Sequence, residues 1–412
     1  MMFRLLLIAF FGLTHSAQAA PWPETPGWLP TLIARPLLEQ DPSVAAARAG
    51  LEVARQEAGI LESSPYEWTA KLSSQRRTVR EGPVYQEWYA GIERALRLPG
   101  KAAADRNLGK ATMEEAEARY GDALHEAARE LLSLWLEWLS AERGRELASA
   151  NRQSAQANLT AVAKRVRAGD ASKLDASLAH ADLAEQQRVE NDAQTQVAVA
   201  WGRLHARFPS IDRQFRVLPT PVPLKENRAF WRARILSESD ELKTAQAQWQ
   251  AAQARAERVR ADKLPDPTVG VYSASEIGGR ERISGLTVSM PIPGGQRDRR
   301  SAKALHSVEV LRQQVELTKR QLEAAIASAV ARAEGAYASL QLAETGASAM
   351  QDNTRLVQRA YALGEADLQA LLSARRQATA ATQNALTARV EALKCYYLLL
   401  IDAHLVWDLQ HE

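Results

Sequence analysis

Seven histidines, a single cysteine and scattered carboxylates are the residues of this chain with the chemistry to act, and their spacing gives them little to do together. No HExxH pair sets two imidazoles on one helix face for zinc, and Cys395 has no second thiol. His180 with Asp182, and Asp402 with His404, have the residue types to touch a metal; solvated helix faces are the simpler reading of both. No nucleophile elbow and no glycine-rich phosphate loop stands out. Gly294-Gly295 lies between a strand pattern and a helix pattern, where phosphate is often held. The rest of that fingerprint is missing, and a sharp strand-to-helix turn suffices. No catalytic residue, cofactor or metal site is therefore expected, and an enzyme lacks any convergent polar site. Cys395 reads as a small apolar residue on a helix face.

The elements around these residues say more. Met1 to Ala20 has the three parts of a secretory signal in order: Arg4, the apolar run Leu5 to Leu13, and Ala17-Gln18-Ala19 before the cut. Without a cysteine at the cut, no lipid anchor is expected. A formal charge of +3 is small for 412 residues, so nucleic acid is not an expected partner. No run of about 18 apolar residues follows the signal, which excludes a transmembrane helix. Two classes remain: a soluble periplasmic or secreted protein, or one that crosses a membrane as strands.

The chain repeats itself. Leu98-Pro99-Gly100-Lys101 and Ile292-Pro293-Gly294-Gly295 lie about 194 residues apart, each closing a strand-like stretch and opening a long proline-free run. Beyond the signal (1–20), an extended proline-rich arm is expected over 21–42. A first repeat covers 43–208, with a hairpin at 66–98 and long helices at 101–167 and 172–208. A proline-rich linker follows at 209–237. The second repeat, 238–412, carries a hairpin at 268–292 and long helices at 296–362 and 366–409. The first rod would be about 100 Å long. Gly169 and Gly364 end the two rods at almost the same offset, with Asp170 or Ser172 placed to cap the next helix.

The helices are Ala-rich, which suits close helix–helix seams with a polar side toward water, in a barrel wall or in a soluble coiled coil. In the hairpins, Tyr66, Trp68, Ala70 and Leu72 share one face, as do Ala90, Ile92, Leu96 and Leu98, with Arg94 breaking the pattern once and Arg76 to Gln86 as a polar loop. In the second hairpin Leu286, Val288, Met290 and Ile292 alternate with Thr287 and Ser289. Aromatic residues near the strand ends (Tyr66, Trp68, Trp88) and strands of about ten residues match a membrane barrel. Four strands cannot close one, and lipid allows no open edge, so spanning requires oligomerisation. A small soluble sheet packed on the helices, in a periplasmic scaffold or adaptor, fits the same alternation.

At these residues the chain resembles the TolC-type outer-membrane efflux proteins over nearly its whole mature length. The likeness rests on the duplicated order and on the strand ends Glu93-Arg-Ala-Leu-Arg-Leu-Pro-Gly-Lys101 and Gly285-Leu-Thr-Val-Ser-Met-Pro-Ile-Pro-Gly294. It also rests on the tip turns Val166-Arg-Ala-Gly-Asp-Ala-Ser-Lys-Leu-Asp175 and Tyr361-Ala-Leu-Gly-Glu-Ala-Asp-Leu-Gln-Ala-Leu-Leu372. The Leu-Pro-Gly-Lys turn and short chain look most like the heavy-metal branch typified by CzcC. The resemblance implies a mainly helical fold with β-hairpins: a homotrimer with a 12-stranded barrel, four strands per chain, in outer-membrane lipid, continued by a periplasmic α-helical barrel. It implies passive export, a periplasmic adaptor (membrane fusion protein) and an inner-membrane RND pump as partners. Gly169, Asp170, Ala171 and Ser172, with Leu363, Gly364, Glu365, Ala366 and Asp367, would form the docking edge. Pro99, Gly100, Pro293 and Gly294 would form the strand-to-helix turns. The family's acidic aperture positions read Ala370 and Ser373 here, a departure that leaves Asp175 as the one possible acidic ring.

Overall fold

The computed structural model describes residues 29–214, 217–407 and 409; the expected signal segment lies outside them. Two short elements come first, helix α1 (Thr31–Glu39) and helix α2 (Pro42–Glu62), the latter capped by Asp41, whose carboxylate accepts from the Ser43 N–H at 2.8 Å. Strands β1 (Thr69–Thr78) and β2 (Val84–Ala95) form the first hairpin. Helix α3 (Pro99–Arg167) and helix α4 (Lys173–Arg207) complete this half. The second half holds helices α5 (Arg228–Glu238) and α6 (Asp240–Ala261), strands β3 (Thr268–Glu276) and β4 (Glu281–Ser289), and helices α7 (Gly295–Leu363) and α8 (Leu368–Asp402). The rods α3 and α7 are 69 residues each, and the return helices α4 and α8 are 35 each. At 1.5 Å per residue each rod is about 100 Å long.

Several bounds differ from the sequence reading, each for a physical reason. Helix α1 lies in the span read as an extended arm. Its flanking prolines and internal Pro36 disguise it, yet Leu37 and Leu38 are buried. Helix α5 lies in the span read as a linker, anchored by buried Trp231 and Ile235. The strands run on through most of the residues read as a polar loop, which leaves only Val79–Pro83 as the turn. Helix α8 stops at Asp402 rather than near Leu409. His404 (φ +52) takes the left-handed position, and the N–H groups of His404 and Leu405 bond back to Ile401 and Leu400. That is a Schellman stop without glycine, so no residue type announced it. The chain then tucks Trp407 into the body, where its indole N–H donates to the Leu29 carbonyl at 2.9 Å.

One large core sits midway along the rods. Leu124 to Leu139 of α3, with Trp135 and Trp138, meet Ile326 and Val330 of α7, Leu393 to Ile401 of α8, and Trp231. Away from it the seams are narrow. Ala111, Ala251 and Ala254 close α3 on α6, and a Cβ at Gly109 would stand 3.2 Å from the Ala58 backbone of α2. The four strands form one antiparallel sheet in the order β1-β2-β3-β4, so the two halves join through β2 and β3. No described helix is long and apolar enough to cross a membrane.

Candidate functional site

Pairing register sorts the sheet into two faces, because directly opposed residues in an antiparallel ladder point the same way. One face carries the rows Ala70–Ile92–Val271–Leu286 and Leu72–Ala90–Ser273–Ser284. Among the described residues no α-helix covers it: Leu72 is 83% exposed, Leu286 80% and Val288 73%. Arg94, the break in this face, turns its guanidinium over Trp68 (5.7 Å to the ring centroid) and donates to the Tyr66 carbonyl at 2.9 Å. The opposite face is polar. Lys71 pairs with Glu93 at 2.6 Å, and Arg77 pairs with Glu87 at 3.0 Å and Glu276 at 3.4 Å. Tyr89 and Tyr272 stack there with centroids 5.3 Å apart. Tyr272 lies so close over Gly285 that a Cβ would approach its ring to 2.6 Å. Sequence reasoning had no signal for that stack beyond the strand alternation itself.

Where the sheet meets the rods, Asp266 accepts from three donors: the Tyr66 hydroxyl at 2.5 Å, Lys101 Nζ at 2.9 Å and the Leu98 N–H at 3.0 Å. Both Asp266 and Lys101 side chains are 4% exposed. Tyr66 is thus a junction residue, not part of an exposed aromatic belt. Arg97 donates to the carbonyls of Leu61, Glu62 and Ser63 and reaches Asp105 at 3.2 Å; Arg258 reaches Asp105 from α6. The proline and glycine positions lie where each hairpin gives way to its rod. Pro99 and Gly100 already belong to α3, with Leu98 as N-cap, and Gly294 (φ −114) is the N-cap of α7 after Pro293. Neither glycine uses the left-handed region; at α3 the junction relies on Pro99 at the first helical position and on the Asp266 contacts, whereas at α7 the first helical residue is Gly295.

The far ends of the rods repeat one design. Gly169 (φ +81) and Gly364 (φ +80) each follow a rod in the left-handed conformation. The N–H groups of Gly169 and Asp170 bond to Val166 and Arg165, and those of Gly364 and Glu365 bond to Tyr361 and Ala360. The next helices then start on matched caps. Ser172 accepts from the Asp175 N–H at 3.0 Å, and Asp367 from the Ala370 N–H at 2.7 Å. The Asp175 carboxylate returns to the Ser172 N–H at 3.0 Å, completing a capping box. It is therefore spent on the helix start rather than standing free. Ala171, Leu363, Ala366 and Ser373 present no charge. Arg165 joins the two tips: it pairs with Asp170 at 2.9 Å and lies 5.0 Å over the Tyr361 ring. Beneath them Val162, Ala179, Leu368, Leu371 and Leu372 form a small core.

Between the two helical hairpins runs an open groove of about 1210 Å³, lined in part by Glu137, Asp182, Gln186, Gln351, Arg375 and Gln383. Burial pushes the Asp182 carboxyl up and the Arg375 guanidinium down. His180 is exposed and does not join Asp182. Asp402 and His404, read as solvated, are not. His404 Nε2 lies 2.9 Å from Asp240, both side chains 2% exposed, and Asp402 takes Arg129 and, at 3.2 Å, His125 Nε2. Among the described residues no group of His, Cys, Asp or Glu has the arrangement to hold a metal ion. Cys395 donates from Sγ to Glu391 at 3.4 Å, and burial pushes its thiol up to about 11.

The site is a surface with an apolar and a polar sheet face, set on rods that end in paired turns. The family described as outer membrane efflux protein matches residues 34–207 and 231–394, one segment in each half. No curated protein matches the chain by sequence. The chain is similar to the CmeC outer membrane channel of Campylobacter jejuni, at 14% identity over 92% of this chain and 86% of that one, with a TM-score of 0.75. It is similar to the outer membrane protein VceC of Vibrio cholerae (17% identity, 90% and 95% covered, TM-score 0.72). The open-state MtrE channel of Neisseria gonorrhoeae gives 18% identity, 92% and 90% covered, and a TM-score of 0.72. At these identities the solved structures speak for the fold, while the two-segment match speaks for kinship: the chain belongs to the outer membrane efflux protein family.

Proposed function

We propose that three copies of this chain form a passive exit duct of a tripartite efflux system, twelve strands in the outer membrane above a periplasmic helical barrel. The observation that carries this is the apolar sheet face left exposed beside two open edges, β1 and β4. A soluble sheet would bury such a face on its own helices, and lipid tolerates open edges only if other copies pair with them. The exposed face thus weighs against the periplasmic scaffold. The polar face, with Lys71–Glu93 and Arg77–Glu87, would line the water-filled lumen.

The tip turns Gly169–Ser172 and Leu363–Asp367 would meet a periplasmic adaptor that connects the duct to an inner-membrane RND pump. Asp175, engaged in its capping box, would make a weak acidic ring, and Ala370 and Ser373 none. The cross-tip contact of Arg165 with Tyr361 is the better candidate for holding the tips together. Heavy-metal cations are the proposed cargo, supported by the Leu-Pro-Gly-Lys turn. In that case the cation passes without resident ligands.

The test is membrane separation followed by mass measurement of the detergent-extracted protein. Outer-membrane enrichment and a trimer mass support the duct, and a soluble monomer overturns it. Cross-linking from Glu365→Cys, in a Cys395→Ala background, then asks whether the adaptor touches the tip. Loss of tolerance to metal cations, but not to organic solutes, on deletion tests the cargo.

A further inference from the structure

At the end of the sheet away from the rods, the arginines divide by face. Arg77, on the polar face, is held by Glu87 and Glu276. Arg94 and Arg97, at the rod end, are satisfied by carbonyls and Asp105. By contrast, the guanidinium groups of Arg76, Arg80, Arg280 and Arg282 have no hydrogen bond or ion pair within the chain among the described residues, and all four are exposed. Each hairpin contributes two. Arg76 (opposite Gln86) and Arg282 (opposite Ser275) belong to the apolar face by register, and Arg80 and Arg280 sit in or beside the turns. The only carboxylate in either turn is Glu81, and the neighbouring Glu276 and Glu281 belong to the polar face by register.

These four cations adjoin an apolar field. Arg282 shares its row with Trp88, Ser275 and Ser74, and Arg76 stands one row farther out. Leu72, Val271 and Leu286 lie on the same face toward the rods. Arg76 and Arg282 also stand on the two edge strands, so closing a barrel from several copies brings β1 of one beside β4 of the next and gathers like charges at each seam. An unpaired cluster of that kind is unfavourable until an anion enters it. Guanidinium forks suit phosphate oxygens in particular, with two parallel hydrogen bonds per pair. A ligand that satisfies both the cluster and the field must carry phosphate at one end and acyl chains at the other.

We propose that Arg76, Arg80, Arg280 and Arg282 form a belt that binds the phosphate groups of a bisphosphorylated glycolipid of the outer leaflet, its acyl chains lying along Leu72, Val271 and Leu286. This rests on the outer-membrane reading above, with the hairpin turns facing outward. The ligand's two phosphates, set against four unpaired arginines per chain, select it over a glycerophospholipid with one.

The test uses the full chain extracted as a trimer in a non-ionic detergent. If it is soluble without detergent, the membrane reading itself fails before any lipid is added. On the trimer, lipid A bearing both phosphates, phosphatidylglycerol and inorganic phosphate are titrated, with native mass spectrometry counting bound lipid. Lipid A is expected to bind, and an R76Q/R80Q/R280Q/R282Q variant to bind it at least about tenfold more weakly, as loss of several charge-assisted hydrogen bonds requires. If that variant does not assemble, R80Q/R280Q alone, changed only in and beside the turns, should still weaken binding several-fold. Equal affinity of variant and wild type overturns the proposal. So does equal binding of phosphatidylglycerol, or displacement of lipid A by millimolar inorganic phosphate.

Discussion

At the scale of residues, the charged groups of the mid-rod body and of the sheet–rod junction are buried and spent on structure. His125 shows it best. Burial disfavours its charged form, but Asp402 and Glu126 outweigh that and raise it from 6.5 to about 9. Asp402 is disfavoured by burial in the opposite sense and is held below its ordinary range by His125 and Arg129. A histidine raised in the folded state contributes fully below about pH 6.5 and loses that contribution as pH rises through about 9. A depressed carboxylate contributes above its unfolded value, near pH 4, and loses it on acidification. Stability of the mid-rod body should therefore hold between roughly pH 4 and 6.5 and fall toward pH 10, by on the order of 3 kcal/mol. Thermal unfolding of His125→Gln should lack this alkaline decline; an unchanged decline would assign it elsewhere. The junction gives a second expectation. Asp266→Ala leaves Lys101, whose side chain is 4% exposed, with Asp262 at 3.3 Å as its remaining carboxylate and takes the shared acceptor from Tyr66 and Leu98, which should cost about 3 kcal/mol. Adding Lys101→Met should recover part of that loss in a double-mutant cycle.

At the scale of elements, the tips show how conformation rather than contact fixes a turn. A Cβ at Gly169 or Gly364 would meet nothing within 4 Å, so space does not require glycine there. The φ values of +81 and +80 do. Ala at either position should loosen its tip by about 1–2 kcal/mol, with Asn milder, read as faster hydrogen exchange in the last turn of the rod. Uniform exchange with the mid-rod unchanged would remove the conformational argument. These turns were legible because glycine is the residue the geometry asks for, and the rods because proline is absent for so long. What was not legible follows the same logic. The α8 stop uses His404 where glycine was the signal, and α1 hides between prolines. The polar strand ends imitate a loop because strand residues such as Arg76, Arg77 and Gln86 need no apolar face. The Asp266 and Asp402 contacts join residues more than 160 positions apart, which a single chain's pattern does not report.

At the scale of the molecule, the alternation of the sheet is the property that decides between duct and scaffold, and it can be tested with one residue step. Leu72 and Ser73 are neighbours in β1, but Leu72 pairs with Ala90 on the apolar face and Ser73 with Tyr89 on the polar one. Both stand in exposed positions of the single chain, so in a soluble protein an arginine at either would cost little. In a barrel the two differ. Leu72→Arg places a guanidinium in hydrocarbon, at about 2–4 kcal/mol per chain near the midplane, while Ser73→Arg adds a charge to a wet lumen. Over three chains the first penalty is multiplied, because every protomer carries it into the same closed wall. If the proposed duct forms, Leu72→Arg should therefore abolish trimer assembly in detergent, and Ser73→Arg should keep it and shift planar-bilayer conductance toward anions. If both variants assembled equally well, the apolar face would not meet lipid, and the exposed rows of the sheet would need a protein cover instead.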